Sequence, residues 1–237
     1  MKRIAQGLYL IEGLRMCNVL YLLVSDTVLT LVDAGLSCDV DRIVGQIEED
    51  GYEPSALESV LVTHAHTDHI GGIPELVRRF DAKVMAHRAE VPYLEGKKNL
   101  PTSSWLQGVT QWLGNLLPGG DAGIEVTRGL EAGETLDLLG GLRVIHMPGP
   151  TPGSMSLYQE ERGILFCGDL LFNGHPLTGR GGLQYAPRVF SSEPEEVKRS
   201  VRGLVGLQVR ILCMGHGEPI VRKSKVKMET VLERMRA

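Results

Sequence analysis

The chain has 237 residues, with 25 Lys+Arg against 29 Asp+Glu and a net charge of −4. That length suits one large domain, and the acidic balance disfavours a nucleic-acid partner, which a basic surface would have to grip by its phosphates. A 43% share of hydrophobic residues excludes a disordered chain, and the longest unbroken apolar run, Val19 to Val24, is far too short to span a membrane. Met1 to Gly13 has no signal-like apolar run. The four cysteines, Cys17, Cys38, Cys167 and Cys213, form no C-x-x-C pair. They read as buried thiols in a reducing compartment, so a cytoplasmic address is expected.

Short β-like runs open the chain: Gly7 to Ile11, Val19 to Val24 and Val28 to Val32, the last two joined by a tight turn at Asp26-Thr27. Asp39 to Glu49 has a helical period, with Val40, Ile43, Val44 and Ile47 on one face. Ser59 to Thr63 predicts a buried strand. Pro74 to Arg79 predicts a helix with proline in its first turn. Lys83 to Ala86 predicts a strand, and His87 to Glu95 a helix interrupted near Pro92. The segment from Gly96 to Gly123 differs in composition and holds both tryptophans. Trp105, Leu106, Val109, Trp112, Leu113, Leu116 and Leu117 fall at helical spacing there. This predicts a helical insertion at about 96–123, serving as a lid, a pocket wall or a homodimer face. Strands are then expected at Ile124 to Thr127, Thr135 to Leu139, Leu142 to Met147, Met155 to Tyr158 and Ile164 to Cys167. A helix over Glu193 to Leu207, a strand over Val209 to Met214 and a helix over Lys225 to Arg236 close the pattern. Two strand-rich halves, each followed by helices, predict two sheets packed face to face with helices outside.

Thr63-His64-Ala65-His66-Thr67-Asp68-His69-Ile70-Gly71-Gly72 carries the strongest chemical signal. It follows a buried strand and precedes a helix. His64 and His66 are two apart, so in extended chain both imidazoles point to one side. The turn at Thr67 to His69 brings a carboxylate and a third imidazole to the adjoining space. Imidazole with carboxylate suits Zn²⁺, with Fe or Mn as alternatives. Other chemistries lack their signatures: there is no G-x-S-x-G elbow, Walker loop, Rossmann glycine fingerprint or H-E-x-x-H.

These residues resemble the H-x-H-x-D-H signature of the metallo-β-lactamase superfamily, which includes glyoxalase II and many lactonases. Val32-Asp33-Ala34-Gly35, Cys167-Gly168-Asp169 and Gly215-His216-Gly217-Glu218-Pro219 resemble further family segments, so the likeness spans nearly the whole chain. It implies an α/β fold, the αββα sandwich, with one or two divalent metals at one edge of the sheets. It implies a first metal on His64 and His66, a second on Asp68, His69 and His216, and Asp169 bridging both. It further implies hydrolysis of a small-molecule ester-like bond, thioester or lactone, by a metal-bound hydroxide. Asp68 would be the catalytic carboxylate that orients the hydroxide or passes a proton.

One departure stands out. The family places a further histidine for the first metal between two Pro-Gly elements, whereas here Pro148-Gly149-Pro150-Thr151-Pro152-Gly153 has Pro150 at that position. Proline has no ligating side chain and no backbone donor. His146 and His175 are the substitute ligands nearest in sequence. The alternative is a catalytically impaired metal- or ligand-binding protein on the same fold. His87 reads as an incidental residue at a helix start. In the loop after Asp169, Arg180 is a candidate for a substrate carboxylate or phosphate, and Tyr185 for a developing oxyanion.

Overall fold

The computed structural model describes residues 1–14, 20–102, 123–174 and 181–235. Within them the hydrophobic pattern builds two sheets. The first runs β1 (Lys2–Ala5), β2 (Leu8–Ile11), β3 (Leu20–Ser25), β4 (Val28–Val32), β5 (Leu57–Val62), β6 (Lys83–His87) and β7 (Arg128–Leu130), side by side in that order. The second contains β8 (Thr135–Leu136), β9 (Leu142–His146), β10 (Met155–Gln159), β11 (Ile164–Phe166) and β14 (Ile211–Cys213), in the order β14-β11-β10-β9-β8. A small ribbon of β12 (Leu171–Asn173) and β13 (Leu183–Tyr185) lies apart from both.

Period-two alternation decides which way each strand faces. In β2 and β3, Leu8, Leu10, Tyr21 and Leu23 enter the core shared with the second sheet, while Ile11, Leu20 and Leu22 turn to the opposite side. The second sheet meets the shared core with Leu142, Val144, Met155, Leu157, Ile164 and Phe166. Helices α1 (Val40–Glu49) and α3 (Ile73–Phe80) bury Val40, Ile43, Ile47, Ile73 and Leu76 on the outer face of the first sheet. Helices α5 (Pro194–Gly203) and α6 (Ser224–Arg234) bury Val197, Val201, Met228 and Val231 against Leu165 and Leu212 of the second. Three cores between four layers make the expected αββα sandwich. Two short helices complete the described residues, α2 (Thr67–Ile70) and α4 (Val91–Leu94).

The expected elements recur with shifted ends. β7 forms at Arg128–Leu130, not over Ile124 to Thr127, because its pairing partner is the end of β6, with His87 opposite Leu130. His87 is therefore the last residue of a strand, not a helix start, and helix begins only at Val91. Of the cysteines, Cys167 and Cys213 are buried in strand-end positions, but Cys38 is exposed on the turn before α1. Cys17, and the insertion with Trp105 and Trp112, lie outside the described residues. No helix among the described residues is long and apolar enough to cross a membrane.

Candidate metal centre

β4 and β5 run parallel, as do β11 and β14, and all four carry site residues just past their carboxyl ends. β4 delivers Asp33, β5 delivers Thr63 and His64, β11 leads into Asp169, and β14 leads into Gly215 and His216. His66 caps the start of α2, which carries Asp68 and His69. The backbone amide of Ala34 donates to the carbonyl of His69 at 2.7 Å, so the turn of α2 is pinned to the end of β4.

Three donor groups lie within 4.8 Å among the described residues: His64, His66 and Asp169; Asp68, His69 and His216; and Asp33, His64 and His69. The third is of a different kind, because Asp33 holds the others in place. Its carboxylate accepts the Thr63 amide at 2.7 Å, the Thr63 hydroxyl at 2.7 Å and His69 Nδ1–H at 2.9 Å. The Thr63 hydroxyl, its proton spent on Asp33, accepts His64 Nδ1–H at 2.9 Å. Both imidazoles thus donate outward from Nδ1, which fixes the ring orientation and turns the Nε2 atoms inward.

The inward atoms converge. His64 Nε2 lies 3.0 Å from His66 Nδ1 and 3.6 Å from Asp169 Oδ2. His69 Nε2 lies 3.3 Å from Asp169 Oδ1 and 3.9 Å from Asp68 Oδ2. His216 Nε2 lies 3.3 Å from Asp68 Oδ2 and 3.4 Å from Asp169 Oδ2. His69 Nε2 and Asp169 Oδ1 are buried with no hydrogen-bond partner. Buried polar atoms are normally satisfied, so donors that face one another unpaired fit a divalent cation between them.

The electrostatics agree. Burial would raise Asp68 and Asp169, but the neighbouring His69 and His216 rings, joined by His64 at Asp169, hold both carboxyls below the usual range. Burial would lower His69 and His216, yet the facing carboxylates outweigh it; His69 is raised, and His216 is pushed up to about 9. His66 is the opposite case, lowered to about 3 by burial and by the His64 ring beside it. A neutral imidazole is the form that ligates a metal.

Gly215 packs tightly against this centre. A Cβ there would lie 2.2 Å from Asp169 Oδ1 and 2.6 Å from His69 Cε1. Glu90, fully buried at the start of α4, joins two loops. Its carboxylate accepts the Ala65 amide at 2.6 Å, the Thr151 hydroxyl at 2.5 Å and the Gly153 amide at 2.8 Å.

A sequence profile described as the metallo-beta-lactamase superfamily matches residues 13–216. The chain belongs to this superfamily. Its curated relatives include the probable metallo-hydrolase YflN of Bacillus subtilis, 29% identical over 203 residues, covering 82% of this chain and 77% of the relative. A hydroxyacylglutathione hydrolase of Vibrio parahaemolyticus is 30% identical over 161 residues, 66% of this chain but 47% of that protein. Among solved structures, the metallo-beta-lactamase family protein TTHA1429 of Thermus thermophilus superposes with a TM-score of 0.72 at 22% identity, covering 99% of this chain and 81% of that one. The native FEZ-1 metallo-beta-lactamase of Legionella gormanii gives a TM-score of 0.67 at 22% identity, covering 90% and 78%. These structural likenesses carry the fold, and the profile carries the membership of a metallo-hydrolase superfamily.

Within this member of the superfamily the structure brings His64, His66, Asp68, His69, Asp169 and His216 together. His146 is turned elsewhere. Its Nε2 donates to the Pro152 carbonyl at 2.9 Å, and its ring stacks on His87 with centroids 4.1 Å apart and planes 8° off parallel. Pro150 is buried, and its carbonyl accepts the Ser192 amide at 3.0 Å. Tyr185 is half-buried against the core under α5 and α6. His175 and Arg180 lie outside the described residues. Sequence reading did not give Asp33 or Glu90 a role. The one visible signal for Asp33 was an aspartate at a strand end beside the histidine motif's strand.

Proposed function

We propose that the protein hydrolyses an ester-like bond of a small molecule, a thioester or lactone, with the metal held by His64, His66, Asp68, His69, Asp169 and His216. The observation that carries this reading is the convergence of unpaired, inward-facing His69 Nε2 and Asp169 Oδ1 beside three further imidazoles. Zinc suits the donor set best, since imidazole and carboxylate are its usual nitrogen and oxygen ligands. When bound, a divalent ion there supplies Lewis-acid polarisation of the scissile carbonyl and brings the pKa of water towards neutrality. The hydroxyacylglutathione hydrolase among the relatives supports the thioester class.

The chain's own groups divide the remaining work. Asp33 orients His69, and through Thr63 it orients His64. Asp169, with 3% of its side chain exposed, reaches both donor groups and holds them together. Asp68 is the more open carboxylate, 24% exposed, and stays ionised beside His69 and His216. We assign it the role that the family resemblance implies, accepting a proton from the attacking water and returning it to the leaving group. A panel of thioesters and lactones tests the reading, with His69→Ala and Asp169→Ala as controls. Turnover lost in both controls is the expected result. Metal-loaded protein with no turnover above them would overturn the hydrolase reading in favour of a metal- or ligand-binding protein, the outcome that Pro150 favours.

A further inference from the structure

The two donor groups that share Asp169 are unequal. Asp68, His69 and His216, counted with Asp169, offer two carboxylates and two imidazoles, which is the four-donor complement usual for zinc. His64 and His66 offer two imidazoles and the same Asp169. Nothing else among the described residues completes this second set. Pro150 brings no side-chain donor, and its carbonyl is engaged by Ser192. His146 is occupied by Pro152 and His87. The Glu90 carboxylate, which is near enough to feel the His64 ring, is consumed by Ala65, Thr151 and Gly153. Once the four-donor position fills, it also neutralises part of the charge on Asp169. Among the described residues, the remaining position then has two imidazoles beside a shared carboxylate.

We propose that the two metal positions fill in sequence, the Asp68–His69–His216–Asp169 position tightly and the His64–His66–Asp169 position weakly and exchangeably. This rests on the metal-hydrolase reading of the site. Titration of the metal-free protein with Zn²⁺ alone, followed by calorimetry, gives the stoichiometry and both dissociation constants without reference to activity. The expected result is one tight equivalent and a second ~10–100-fold weaker, a gap of the size that lost ligand support produces. His66→Gln removes only the weak equivalent and His216→Gln removes the tight one. Pro150→His narrows the gap by at least ~10-fold, by adding an imidazole donor. Co²⁺ absorption spectra of the same variants report the same order, and circular dichroism confirms that each is folded. Two equivalents of equal affinity, or loss of the tight equivalent in a folded His66→Gln, would overturn the proposal. Sequential loading without turnover of any substrate would leave it standing and overturn only the hydrolase reading; absence of any zinc binding would overturn both.

Discussion

Asp169 and His69 approach Gly215 so closely that its missing side chain is part of the site. Gly215→Ala would put a methyl group 2.2 Å from Asp169 Oδ1, a separation that no real Cβ contact shows. The strand end must shift, so zinc affinity is expected to fall at least ~10-fold, as for lost support of a ligand. Equilibrium dialysis against a zinc buffer checks this; unchanged affinity would mean that the loop moves aside freely. His216 sets a pH dependence in the metal-free protein. Its folded pKa of about 9 is raised above the ordinary 6.5, so its contribution to stability is full below pH 6.5 and is lost as pH rises through 9. Asp68 and Asp169, depressed below the usual carboxylate range, stay ionised throughout that window. The metal-free protein should thus lose stability as pH rises from 6.5 through 9, with His69, raised by the same carboxylates, adding to the fall. Zinc displaces the proton, so loaded protein should show no such fall. Urea melts across that range, with and without zinc, decide it. At this scale much was legible: a run of three histidines and an aspartate within six positions needs little context. Asp33 and Glu90 were not, because their roles exist only through bonds to residues 25 to 63 positions away.

Glu90 matters at the level of elements. It ties the loop between His64 and His66 to the loop that carries Pro150, and so fixes how far apart the β5 and β9–β10 ends sit. Burial raises its pKa, while the bonds it accepts act in the opposite sense. Glu90→Ala strands the buried Ala65 and Gly153 amides, while the Thr151 hydroxyl keeps Ser154 Oγ within reach, and should cost at least ~2 kcal/mol, at ~1–3 kcal/mol for each unsatisfied group. Glu90→Gln keeps one acceptor oxygen and should cost less. Thermal melts of both variants measure the order; equal losses would show that packing, not donor satisfaction, dominates. Sequence reading marked β3 and α1 well, though Thr135 to Leu139, expected as a strand, is one only over Thr135–Leu136. It failed for β12 and β13, three residues each, which no period can mark and which exist by pairing Leu171 with Tyr185. The helix expected from His87 gave way to a strand end because the β6–β7 pairing extends through that residue.

Over the whole molecule, the sequence pattern made the layer order plain, since alternating strands and one-sided helices leave few ways to bury both sheet faces. It did not show that the sheets differ in size, seven strands against five, because β1 has no apolar periodicity and forms by pairing with β2. The strand order has a kinetic consequence. The donors come from the end of β5, from α2 and from the ends of β11 and β14, so the centre is complete only after β14, the edge strand of the second sheet, has docked along β11. Contacts so distant along the chain form late in folding. Zinc should therefore leave the refolding rate unchanged and slow unfolding, by the partition expected for interactions absent from the transition state. Stopped-flow chevrons with zinc and with chelator would show one folding limb and two unfolding limbs; a faster folding limb with zinc would put the centre in the nucleus. In that picture the ion is a latch on a finished structure, one whose main effect is to lengthen the native lifetime.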